Sequence, residues 1–80
     1  MKIRLLLFGI TTDLLRTSSL GIDVPTDATI SVLKTQLLAN YPQLENIDSY
    51  AIAVNEEYAS NKTLLKENDV VAIIPPVSGG

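Results

Sequence analysis

Val70-Val71-Ala72-Ile73-Ile74-Pro75-Pro76 runs five apolar residues, four of them β-branched, into a pair of prolines. A stretch without polar alternation predicts a strand buried on both faces near the middle of a sheet. Proline offers no N–H to a ladder, so Pro75 marks where pairing stops. Lys66-Glu67-Asn68-Asp69 is a polar turn feeding this strand, and Leu64 and Leu65 precede it. A central strand needs neighbours, and Lys2 to Phe8 supplies one. Ile3, Leu5 and Leu7 share one of its faces, while Lys2, Arg4, Leu6 and Phe8 share the other. That second face begins charged and ends apolar, which implies that something covers the Leu6 and Phe8 end.

Between these two strands the chain reads as a strand, a helix and a hairpin. Gly9 closes the first strand, and Ile10 to Arg16 forms a short helical segment. Leu20 to Val24 is a second strand, with Leu20, Ile22 and Val24 on one face, and it pairs with the first. Pro25 ends it and Thr26-Asp27-Ala28 turn the chain. Thr29 has the chemistry of an N-cap, because its hydroxyl can accept from a free N–H of the first helical turn. Ile30, Leu33, Leu37, Leu38 and Tyr41 then recur at helical spacing as a core-facing stripe, opposite Ser31, Lys34, Thr35, Gln36 and Asn40. Pro42 stops the helix by disfavouring the α region at Tyr41. Gln43 to Ser49 reads as a loop, Tyr50 to Val54 as a strand, Asn55-Glu56 as a turn and Glu57-Tyr58-Ala59 as a short return strand.

One amphipathic helix covers only one face of such a sheet. A long crossover lets the first and last strands pair in parallel at the centre. The fold class is therefore α+β, a β-grasp: a mixed sheet with one main helix packed on one face. Residues 1–80 make a single domain, with residues 75–80 as a projecting tail.

Composition narrows the chemistry. Eighty residues, 46% of them hydrophobic, support one small core. The chain has no Cys, His or Trp, so packing alone holds it together, and the usual nucleophiles and soft metal ligands are missing. A net charge of -3, with Lys2, Arg4, Arg16, Lys34, Lys62 and Lys66 scattered, argues against a nucleic-acid partner. The apolar run Leu5 to Ile10 falls short of the roughly 7–15 residues of a signal peptide. Nothing approaches the ~20 apolar residues of a membrane span. A soluble, cytoplasmic protein without a membrane partner is expected. Ser18, Ser19, Ser49, Ser60 and Ser78 have no histidine to activate them. Glu56-Glu57, Glu67 and Asp69 read as solvated surface carboxylates. Gly9, Gly21, Gly79 and Gly80 form no phosphate loop. No metal site and no bound cofactor are expected.

What remains is the end of the sequence, Pro75-Pro76-Val77-Ser78-Gly79-Gly80. Two prolines stiffen its base, and two glycines leave its tip narrow enough for a channel that excludes any Cβ. Six residues extend to about 20 Å. Such a tail either frays, as termini commonly do, or presents its carboxylate to a partner. Parallel pairing would bring Phe8 and Ile74 to the same end of the sheet, beside the root of the tail. An apolar patch there suggests a docking surface formed by Leu6, Phe8 and Ile74. In the competing arrangement Phe8 packs under the Ile10 to Arg16 segment.

Over essentially all 80 residues the chain resembles the MoaD family, the small, ubiquitin-like sulfur-carrier subunits of molybdopterin synthase. The likeness is strongest in Asn68-Asp69-Val70-Val71-Ala72-Ile73-Ile74-Pro75-Pro76-Val77-Ser78-Gly79-Gly80, and extends to Ala53-Val54-Asn55 and Leu5-Leu6-Leu7-Phe8. The resemblance implies a non-catalytic carrier that is no enzyme by itself. An E1-like adenylating enzyme would use ATP to activate the Gly80 carboxylate, and sulfur would then convert it to a thiocarboxylate. The tail, Pro75, Pro76, Val77, Ser78 and Gly79, would enter the large catalytic subunit, within a heterotetramer. There the sulfur would attack precursor Z (cyclic pyranopterin monophosphate) towards the dithiolene of molybdopterin. Phe8 and Ile74 match the family's docking face, although Ile73-Ile74 stands where some relatives have aromatic residues. A sulfur carrier of the thiamin pathway and a ubiquitin-like modifier of lysines share the fold and the Gly-Gly end.

Overall fold

Strands β1 (Lys2–Leu7) and β5 (Val70–Ile74) run parallel, Leu5 opposite Val71 and Leu7 opposite Ile73, in a computed structural model that describes residues 1–76. β2 (Ser19–Asp23) lies antiparallel to β1, and β3 (Ala51–Val54) lies antiparallel to β5. β4 (Glu57–Tyr58) completes the sheet order β2-β1-β5-β3-β4. The all-apolar strand therefore sits at the centre, as its composition predicts. The parallel pair requires a long crossover, and the chain between β1 and β5 supplies it, with helix α2 (Ile30–Asn40) on the way.

The core lies between the sheet and α2. Ile3, Leu5, Leu7, Ile52, Val71 and Ile73 enter from the strands, and Ile30, Leu33 and Leu37 enter from the helix. Leu38 is not part of the stripe; it is 40% exposed. One residue is a 100° step around a helix, so Leu37 and Leu38 cannot both face the sheet squarely. The predicted loop at residues 43–49 also departs from expectation. It forms two short 3₁₀ turns, Pro42–Leu44 and Ile47–Ser49, whose Leu44 and Ile47 are fully buried core residues. β5 is buried on one face only: Val71 and Ile73 are enclosed, while Val70, Ala72 and Ile74 are half-buried. The helix covers a single face, so apolar composition here outruns actual burial.

Thr29 caps α2 as predicted, its hydroxyl accepting from Val32 N–H at 3.3 Å. The preceding two free donors of the helix start are used as well. Ile30 N–H donates to the Thr63 carbonyl, and Ser31 N–H donates to the Asn61 carbonyl, each at 3.0 Å. The 61–65 segment thus closes the helix start, which would otherwise leave backbone donors without partners.

A second lock joins two turns. Asn55 and Glu56 both have positive φ (50° and 72°), the backbone of a tight hairpin turn in which Asn is well tolerated. Asn55 donates its amide to Asp69 Oδ1 at 2.9 Å and accepts Val70 N–H at 3.0 Å. The other oxygen of Asp69 accepts Lys66 N–H at 2.7 Å. Asp69 is only 8% exposed, so its reading as a solvated carboxylate is corrected: it is a buried acceptor that ties the 66–69 turn to the β3–β4 hairpin. Glu67 is likewise engaged, accepting Lys2 N–H at 2.7 Å. Asp69→Ala strands two donors, each left without its partner. It should lower stability by about 2 kcal/mol, or roughly 10 °C in Tm. Thermal unfolding checks this; an unchanged Tm would show that the lock contributes nothing.

Candidate functional site

The face of the sheet turned away from α2 carries the apolar end predicted for β1. Leu6 pairs with Ala72, so the two share that face. Alternation from Leu7 and Ile73 adds Phe8 and Ile74. Ala51, opposite Ile74 on β3, extends the patch sideways. At the other end of the same face Lys2 and Arg4 are exposed. Phe8 is 48% exposed, so the helical segment does not bury it. Leu6 and Ile74 are half-buried beside it. Three sequence-predicted contact residues therefore come together on one surface.

The backbone at Phe8 is fixed by a residue that pattern reading passed over. Thr11, in helix α1 (Ile10–Leu15), is fully buried. Its hydroxyl accepts Phe8 N–H at 3.0 Å and donates to the Phe8 carbonyl at 2.5 Å. Thr11 N–H donates to the same carbonyl at 3.2 Å, and the Thr12 hydroxyl donates to the Leu7 carbonyl at 3.1 Å. β1 thus ends at a corner whose polar groups are paired, which fixes the backbone that carries the exposed Phe8 ring. The sequence signal was the pair Thr11-Thr12 just after Gly9, where hydroxyls commonly satisfy the free groups of a turn.

Pro75 and Pro76 follow the last paired residue of β5. Both flanks of β5 carry partner strands, so two consecutive prolines end pairing on either side and release the chain from the sheet. Val77, Ser78, Gly79 and Gly80, assigned to the tail and its reactive end, lie outside the described residues. Among the described residues no cluster of three His, Cys, Asp or Glu side chains could hold a metal ion. No helix among them is long and apolar enough to cross a membrane. The geometry offers an apolar surface beside the point where Pro75 and Pro76 leave the sheet.

Comparison with known proteins agrees with this geometry. A profile of the ThiS family matches residues 5–80. A molybdopterin synthase sulfur carrier subunit of Dictyostelium discoideum is 39% identical, over 99% of this chain and 96% of that protein. One of Arabidopsis thaliana is 33% identical, over 100% of this chain and 84% of that protein. Among solved structures, SAMP1 from Haloferax volcanii superposes with a TM-score of 0.88 at 26% identity, covering 100% of both chains. A chain from the complex of subunits 1 and 2 of the molybdopterin-converting factor of Helicobacter pylori gives a TM-score of 0.71 at 26% identity, again over 100% of both. The β-grasp expected from the pattern is the fold these neighbours share.

Proposed function

This chain belongs to the ThiS family, and we propose that it carries sulfur for molybdopterin synthesis as the small subunit of a molybdopterin synthase. The observation behind this is its full-length likeness to proteins named molybdopterin synthase sulfur carrier subunit, at 33% and 39% identity. The match to a converting-factor subunit solved together with its partner supports a large catalytic subunit as the protein on which the tail acts. The apolar patch of Leu6, Phe8 and Ile74, at the root of the tail, is the docking face in this reading.

The chemistry is assigned to Gly80. An oxygen of its carboxylate attacks the α-phosphorus of ATP in an E1-like enzyme, and pyrophosphate leaves. A carboxylate is a poor acceptor for nucleophiles, whereas the acyl-adenylate has AMP as a good leaving group. Hydrosulfide released by a sulfur donor attacks the acyl carbon. AMP departs with the electron pair of the C–O bond, a proton is lost, and a thiocarboxylate remains. Its sulfur then attacks a side-chain carbon of precursor Z inside the large subunit, within an assembly of two copies of each subunit. The C–S bond forms as a C–O bond at that carbon breaks and its oxygen leaves. Hydrolysis of the resulting thioester returns the Gly80 carboxylate and leaves sulfur on the pterin. Two deliveries make the dithiolene. ATP belongs to the activating enzyme, and the carrier itself holds no cofactor.

A second reading is favoured by the likeness to SAMP1, small archaeal modifier protein 1 of Haloferax volcanii. In that case the activated Gly80 would pass to lysine amines instead of a pterin. One experiment separates the readings. Protein, activating enzyme, ATP and sulfur donor are offered in parallel a molybdopterin synthase large subunit with precursor Z, a thiazole-forming enzyme with its substrates, and a lysine-rich protein. Molybdopterin formation with loss of sulfur from the carrier is expected. Transfer only to a thiazole-forming enzyme would assign the chain to thiamin synthesis. Isopeptide bonds to lysine without molybdopterin would assign it to protein modification.

A further inference from the structure

We infer that Gly9 is a positioning residue for the tail: lacking a side chain, it seats the Pro75 ring at the end of β1. It thereby sets the direction in which the chain leaves the sheet at Pro75-Pro76. The role in sulfur delivery rests on the proposed function; the seat itself does not.

Gly9 and Pro75 are far apart in sequence but meet where the central parallel strands end. A Cβ on Gly9 would lie 3.1 Å from Pro75 Cγ and 3.8 Å from Pro75 Cδ. The first of these is tighter than an ordinary carbon contact, so a side chain there requires the ring to give by a few tenths of an ångström. Independently, Gly9 has φ 55° and ψ -136°, a backbone region essentially reserved for glycine. Two separate requirements, conformational and steric, fall on one residue.

The seat is rigid on both sides. Thr11 ties down the Phe8 N–H and carbonyl, and Thr12 N–H donates to the Gly9 carbonyl at 3.1 Å. Opposite, Ile73 and Ile74 are held by pairing to β1 and β3. The proline ring adds a fixed φ. A tail whose base is set this way searches fewer directions before entering a narrow partner site, and that lowers the ordering cost of docking. The fixed corner also places the exposed Phe8 next to the tail's exit. Docking the patch and aiming the tail thus depend on the same few residues.

Three measurements test the seat. In the unmodified protein, nuclear Overhauser contacts between the Gly9 α protons and the Pro75 ring protons are expected; their absence overturns the seat whatever any variant does. Gly9→Val should remain folded by heteronuclear NMR yet deliver sulfur to the pterin roughly 30-fold more slowly, since a small change of direction at the base grows along the tail and misplacement by about 1 Å at the reacting atom can cost ~10²-fold. The double variant Gly9→Val with Pro75→Ala carries the same backbone strain but lacks the obstructing ring carbons. It should regain a rate within about threefold of Pro75→Ala alone, a coupling that independent sites do not show. A double variant as slow as Gly9→Val, or a Gly9→Val protein as fast as wild type, overturns the positioning role. A wild-type protein that never delivers sulfur overturns the proposed function instead, and leaves the Gly9–Pro75 contact to be judged by NMR alone.

Discussion

Removing Gly80 should end sulfur delivery while leaving the fold and Tm unchanged. Among the described residues the buried core ends at Ile73, and glycine has no side chain to pack. Truncation moves the acyl carbon back by one residue, about 3.3–3.6 Å along an extended chain. A reacting atom displaced that far cannot meet a partner site built for the full tail, and misplacement of only ~1 Å already costs about 10²-fold. The expected loss therefore exceeds 10²-fold in a delivery assay with the large subunit and precursor Z. A truncated protein that still delivers would show that tail length is not what the partner reads.

How much of this was legible beforehand depends on the range of each interaction. The helix could be read because Ile30, Leu33 and Leu37 repeat every three or four residues and Thr29 caps their start. The central position of β5 could be read because Val70 to Ile74 has no polar member. Leu44 and Ile47 could not, since 3₁₀ turns carry no amphipathic period and two isolated apolar residues in a polar stretch look like loop. The pairing of Asn55 with Asp69, and the seat of Pro75 on Gly9, join residues that no local pattern connects. Asp69 shows the difference most plainly: its neighbours in sequence say surface, while its partners in space make it a buried acceptor. The site divides the same way. Leu6, Phe8 and Ile74 follow from strand alternation and parallel pairing, but the threonine corner that fixes Phe8 does not.

Phe8→Asp carries the second large effect, on assembly. The ring is 48% exposed in the free chain, so a carboxylate there stays solvated and stability should change little, within roughly 1 kcal/mol. Docking on the large subunit would take that charge out of water against Leu6 and Ile74. An unpaired buried charge costs several kcal/mol, about 3 or more here, which is over 100-fold in Kd. Titration calorimetry with the large subunit reads this directly. An unchanged Kd would place the docking surface elsewhere on the fold, with Tyr58 on β4, 81% exposed, as the next aromatic to test.

Sulfur delivery by this chain requires that the sulfur be held at Gly80. The direct measurement is the mass of the intact protein and of its C-terminal peptide after incubation with the activating enzyme, ATP and a sulfur donor. The predicted result is the gain of one oxygen-to-sulfur exchange, confined to Gly80, dependent on ATP and reversed on mixing with the large subunit and precursor Z. A mass that does not change, or a sulfur atom found anywhere but the Gly80 carboxyl, would contradict it.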